Sequence, residues 1–231
     1  MSDTNAHPAP TRVSQSSATT LLPLMREATR ELHTAAERSG IYRALLTGHA
    51  ELRGYTLLLR NLEPVYGALE RELAASHKLS ALVPTVLYRS AALVSDLETL
   101  VGPQWRDTLP ELPASIAYVD RLKAVAREAP ARLIAHVYTR YLGDLAGGRM
   151  LHDKVRRQLG TAAEGLAYFA FAGHADPTPL AVELRQGIEI AGAAVASWPA
   201  IIEEACTAFR LTIALSTAVQ VAAGDGRDSM P

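Results

Sequence analysis

The chain has 231 residues, 48% of them hydrophobic, enough for one sizeable core. Its 23 basic and 24 acidic residues leave a net charge of −1, so no global field favours nucleic acid or a membrane surface. The single cysteine, Cys206, excludes an internal disulfide and fits a reducing, cytoplasmic compartment.

Residues 1–20 are rich in Ser, Thr, Ala and Pro, with Arg12 as their one basic residue. They lack the apolar stretch of a secretory signal and read as a disordered tail. From Leu21 onward helical periodicity recurs and strand-like alternation is absent. Leu24, Ala28, Leu32 and Ala35 mark the expected inner stripe of the first helix. Residues 51–75 carry a second pattern through Leu58, Leu62, Val65, Leu69 and Leu73, which Pro64 is expected to kink or divide. A third helix follows Pro84 through Leu93, Leu97 and Leu100 and ends at Gly102-Pro103. Residues 114–127 predict a fourth, with Ile116, Val119, Leu122 and Val125 inward. Pro130 opens a fifth that continues to Leu159. Beyond the punctuation at Gly160, Gly173 and 176–179, two more helices are expected at 180–193 and 199–222. The apolar run Leu211–Ala223 contains Thr212, Ser216, Thr217 and Gln220 and is shorter than the ~20 residues of a membrane span. It is expected to be the last core helix. The sequence therefore predicts an all-α, single domain over 21–222, between tails at 1–20 and 223–231.

The fifth helix holds the most informative stretch, LIAHVYTRYLGDLAGGRML (133–151). Gly143, Gly147 and Gly148 each weaken a helix by about 1 kcal/mol relative to alanine. Gly143 and Gly147 are four apart and share a face, with Asp144 at its margin. A bare helix floor beside one carboxylate suggests a pocket for something flat or bulky.

His33 is the second informative position, with Glu37 one turn later and the small residues Thr29, Ala35 and Ala36 around it. A carboxylate beside one imidazole nitrogen is a device for fixing the tautomer of a metal-binding histidine. On the pair alone, a solvated histidine with an acidic neighbour is the commoner pattern. There is no HExxH and no Cys/His cluster for zinc, whereas one histidine with an open opposite side is what a haem iron requires.

The segment HVYTRYLGDLAGG (136–148) resembles the signature of the heme oxygenase family, differing mainly at Val137 and Ala146. REATRELHTAAE (26–37) is similar to that family's proximal segment, and EGLAYFAF (164–171) and IIEEACTAF (201–209) resemble it too. The likeness spans residues 21–222 and implies a multi-helical bundle with haem between a proximal and a kinked distal helix. It implies haem b as both substrate and cofactor, cleaved with dioxygen and electrons from an external reductase or ferredoxin to biliverdin, carbon monoxide and ferrous iron. His33 would be the axial iron ligand, fixed by Glu37. Gly143, Gly147 and Gly148 would let backbone approach dioxygen, with Phe209 as a pocket wall. Asp144 would anchor ordered waters beside the oxygen rather than touch iron. Tyr66 and Arg140 match the tyrosine and arginine of the family's water network; Thr212 stands where an asparagine is usual. Arg140 has a second reading, a helix salt bridge to Asp144 one turn away.

Arg26, Arg185 and the Tyr138 hydroxyl match the groups that hold the haem propionates, while Ala181 replaces a further cation and leaves regiochemistry open. His136 reads as a structural or surface histidine. Arg149, Lys154, Arg156 and Arg157 form a basic patch, read either as a solvated face or as a docking surface for an acidic electron donor. A haem carrier or sensor on the same fold, without turnover, is the alternative function.

Overall fold

The computed structural model describes residues 20–160, 165–171 and 176–225, so most of both tails and the Gly173 punctuation lie outside the described residues. Among those described, every regular element is helical: α1 (Leu21–Glu37), α2 (Gly40–Thr47), α3 (Leu52–Ala75), α4 (Ser90–Leu100), α5 (Trp105–Thr108), α6 (Pro113–Glu128), α7 (Leu133–Val137), α8 (Gly143–Leu159), α9 (Thr178–Ala193) and α10 (Pro199–Asp225). A π-helical turn, Tyr138–Leu142, joins α7 to α8 in one continuous helix.

α3 and α10 organise the core. Residues 54–62 of α3 are buried all round, as expected of a helix enclosed by neighbours. Pro64 does not divide it; packing against α4, α6 and α10 outweighs the roughly 3 kcal/mol that an internal proline costs. α10 buries Ile201, Ala205, Ala208, Thr212, Leu215 and Val219, the three- and four-residue spacing of one helix face. By length and composition alone α10 could cross a membrane, but here it is the helix on which α1, α2, α3, α6 and α7 pack. It also runs to Asp225, past the expected boundary at 222.

Two inward faces differ from expectation for one reason. In α1 the buried residues are Leu21, Met25, Thr29 and Ala36, while Ala28 and Ala35 are exposed. Thr29 reaches the core by donating to the Met25 carbonyl at 2.8 Å. In α6 the exposed residue is Ile116, and Ser115 and Tyr118 are buried in its stead. The Ser115 hydroxyl donates to the Asn61 carbonyl at 2.8 Å. A hydroxyl satisfied by a nearby carbonyl can occupy a core position that hydropathy assigns to an apolar neighbour.

The short α2 has no clear periodic signal, yet it shapes the site. At Gly40, where φ is +31°, a Cβ would come within 2.2 Å of the Ser216 carbonyl, so only glycine lets α2 start directly against α10. The last carbonyls of α2 are taken by α8: Gln158 donates to Leu45 at 2.8 Å, and the Lys154 ammonium donates to Leu46. At the other end of α1, the Glu189 carboxylate of α9 accepts the Leu21 and Leu22 N–H groups at 2.9 and 3.0 Å. α2 and α9 thus each pack on both α1 and α8 and bound the space between them.

Candidate functional site

The distal helix carries an identifiable defect. The π turn at Tyr138–Leu142 ends where Gly143 begins, and such insertions both kink a helix and recur at functional sites. At Gly143 and Gly147 an added Cβ would meet nothing within 4 Å, so these two present bare backbone to open space. Gly148 does not belong to this floor. It is turned about 100° from Gly147 and faces Phe169, whose carbonyl would lie 3.8 Å from a Cβ there.

Asp144, adjoining the glycine floor, is held by two tyrosines from separate parts of the chain. Tyr66 of α3 donates to one carboxylate oxygen, and Tyr168, from the 165–171 segment, donates to the other at 2.9 Å. The two phenol oxygens are 3.2 Å apart. Arg140 does not pair with Asp144, because the π turn breaks the α-helical ladder that would bring residues four apart together. Instead its Nε donates to the Tyr66 oxygen at 3.2 Å, and its terminal nitrogens donate to Thr212 and to Tyr42 of α2, both at 3.3 Å. Burial pushes the Asp144 carboxyl above the usual carboxylate range, opposed by the Arg140 charge and the two tyrosine hydrogen bonds. Burial likewise drives the Tyr66 and Tyr168 phenols well above their ordinary value, which keeps them protonated donors.

His33 is exposed, its side chain 56% accessible, and its ring meets Phe209 of α10 edge-on at 5.8 Å. The Phe209 ring in turn meets Tyr138 at 6.3 Å, and the Tyr138 hydroxyl lies 3.2 Å from that of Thr29. A chain of rings therefore links the histidine to the π turn. Glu37 stands 3.8 Å from His33 Nδ1, an electrostatic neighbour beyond hydrogen-bond length. Arg26 on α1 and Arg185 on α9 are both exposed, and neither forms an ion pair among the described residues. The expected residues thus form two groups joined through the π turn: Asp144, Tyr66, Arg140 and Thr212 in one, His33, Phe209 and Tyr138 in the other. Sequence reasoning missed Tyr42 and Tyr168.

These features suit a flat, anionic, iron-bearing ligand. An accessible imidazole, a backbone floor that side chains leave clear and unpaired arginines on helices bordering the opening are what haem with its propionates requires.

His136 lies outside this opening. It is fully buried, with Nε2 3.1 Å from Glu204 and Nδ1 3.4 Å from the Tyr118 hydroxyl. Glu204 also accepts from Arg121, at 2.9 Å through Nε and again through Nη2. Burial lowers the His136 pKa despite Glu204, so the ring is neutral: Nε2–H donates to the carboxylate and Nδ1 accepts from tyrosine. It is a structural histidine.

The chain matches the family model described as Heme oxygenase over residues 19–218. It is 37% identical over 214 residues to heme oxygenase 1 of Pongo abelii, covering 90% of this chain and 74% of that protein. Against heme oxygenase 1 of Synechocystis the identity is 35% over 192 residues, with 82% and 80% covered. The crystal structure of Synechocystis heme oxygenase-1 in complex with heme superposes with a TM-score of 0.82 at 32% identity, covering 91% of this chain and 96% of that one.

Proposed function

The chain belongs to the heme oxygenase family and is an enzyme of haem degradation, and from that premise we propose how its residues divide the work. Bound haem supplies the iron that activates dioxygen and the macrocycle that is oxidised. The products are biliverdin, carbon monoxide and ferrous iron, with electrons from an external reductase or ferredoxin. His33 would hold the iron from α1, with the Glu37 carboxylate 3.8 Å from its Nδ1. Gly143 and Gly147, where an added Cβ would meet only open space, would leave room for the macrocycle and dioxygen against the distal helix. Asp144 would hold water at the distal site and govern delivery of a proton there; Tyr66 orients Asp144, and Arg140 supplies the nearby positive charge. Arg26 and Arg185, with Tyr138, hold the propionates and set which meso carbon is cut.

The observation that carries this reading is the pairing of a clear glycine floor with a tyrosine-bound carboxylate one residue along. Acid placed directly on the oxygen would favour peroxidase chemistry; an aspartate held back by two phenols favours a water-relayed proton. Arg156 and Arg157 are exposed on α8 beyond the glycine floor and supply a docking surface for an acidic electron donor; Lys154 is partly committed to α2, and the Arg149 side chain lies outside the described residues. The near-zero net charge and the packing of one face of α10 into the core favour a cytoplasmic protein that acts without nucleic acid or membrane.

Single-turnover spectroscopy tests the assignment. The haem complex with reductant under air should yield biliverdin and carbon monoxide. Failure with several electron donors would leave a carrier or sensor.

A further inference from the structure

In the 165–171 segment only Ala167–Phe169 forms a single turn, and buried side chains from outside it take up several of its backbone groups. Asp96 of α4, itself buried, accepts the N–H groups of Ala167 and Tyr168 at 2.7 and 2.8 Å. Arg89, also buried, donates to the carbonyls of Tyr168 and Ala170 at 3.3 and 2.7 Å, and its guanidinium sits 4.3 Å over the Phe171 ring. Glu70 of α3 fixes Arg89 in turn, accepting its backbone N–H at 2.6 Å. The segment is thus clamped to α3 and α4, and what it delivers is one hydroxyl, that of Tyr168, to Asp144.

We infer that Tyr168 is a positioning residue of the distal site: it fixes the plane of the Asp144 carboxylate, which Tyr66 alone would leave free to turn. One donor on one oxygen restrains a carboxylate's position but not its rotation about that contact; donors on both oxygens, from two separate elements fixed to one another, restrain both. The Tyr66 oxygen accepts from Arg140, so its proton goes to Asp144, and the Tyr168 proton goes there too. While both phenols donate, Asp144 is an acceptor-only carboxylate whose remaining lone pairs serve water. The charged and titratable groups around it are Tyr66 on α3, Arg140 and Tyr141 on the π turn, Tyr168, and Arg89 behind the clamp; Tyr42 and Glu70 stand one contact further away. The inference rests on the reading of Asp144 as the distal water anchor.

Tyr168→Phe tests it while keeping the ring that packs on Tyr66 and Phe169 at 5.9 and 4.8 Å. In the full chain without haem, the side-chain carboxyl of 13C-labelled Asp144, assigned with Asp144→Asn, should titrate about one pH unit higher in Tyr168→Phe. In the haem complex treated with peroxide, the ratio of biliverdin formed to guaiacol oxidised should fall several-fold while haem affinity holds. An unmoved titration would overturn the hydrogen bond; a moved titration with an unmoved product ratio would overturn the positioning role. If Asp144→Asn itself leaves the ratio unchanged, the inference falls with the reading of Asp144, and the titration tells that failure apart from loss of the Tyr168 contact.

Discussion

Glu204→Gln is the perturbation whose size the structure fixes best. Glu204 is 1% exposed on α10 and is bound by Arg121 and His136, with Arg132 at 3.9 Å. Burial alone would raise its pKa, but the hydrogen bonds from His136 and Arg121 win and hold it at about 2, against an ordinary 4.5. A carboxylate stabilised to that degree contributes about 3 kcal/mol at neutral pH. Glutamine keeps the shape but not the charge, and Arg121, one-third exposed, regains some hydration on its loss, so about 2–3 kcal/mol should be lost. That is roughly 5–10 °C in Tm for a chain of this size. The sign is set by a folded pKa below the unfolded one: the contribution is full above 4.5 and disappears as pH falls toward 2. His136 adds a separate acid limb. Burial holds it neutral, so the unfolded chain gains a proton as pH falls through 6.5 and the folded one does not. Urea denaturation of the haem-free chain, followed by circular dichroism from neutral pH to about pH 3, should show a Glu204→Gln deficit that narrows on the acid side. A deficit independent of pH, or none at neutral pH, would refute the reasoning.

Three further outcomes concern the site. Gly143→Ala and Gly147→Ala should each stabilise the haem-free chain by up to about 1 kcal/mol, since the added methyl meets open space. Gly147→Leu should instead lower haem affinity by about tenfold or more, read by hemin titration. Arg26→Ala and Arg185→Ala should each weaken haem binding by roughly threefold, and together they should broaden the mixture of biliverdin isomers seen by chromatography. Asp144→Asn should keep haem but divert peroxide from biliverdin to guaiacol oxidation; undiminished biliverdin yield would remove Asp144 from the mechanism.

The all-helical fold was legible because long apolar periods and Pro/Gly punctuation agree over most of the chain. Its inner faces were less so, since Thr29 and Ser115 reach the core through side-chain hydrogen bonds that hydropathy does not register. α2 was invisible for a related reason: eight residues give too short a period, and Gly40 matters only against the Ser216 carbonyl, far away in sequence. Gly143 and Gly147 were readable from local spacing, whereas Gly148 was not part of the floor and His33 was singled out by the family resemblance, its spacing to Glu37 fitting a solvated histidine at least as well. The π turn was not readable, and with it went the Arg140–Asp144 pair, because four-residue spacing implies contact only in an unbroken α-helix. Tyr168 could have been suspected from a hydroxyl in an otherwise apolar run, LAYFAF, but its partner Asp144 is fixed by tertiary folding.

Everything proposed for the site depends on haem iron being held by the exposed imidazole of His33. The most direct measurement is the Soret and resonance Raman spectrum of the hemin complex of His33→Ala, with and without added imidazole. The iron–histidine signature should be lost in the variant and return with imidazole, haem being retained by the remaining pocket. A His33→Ala spectrum identical to that of the parent chain would contradict it.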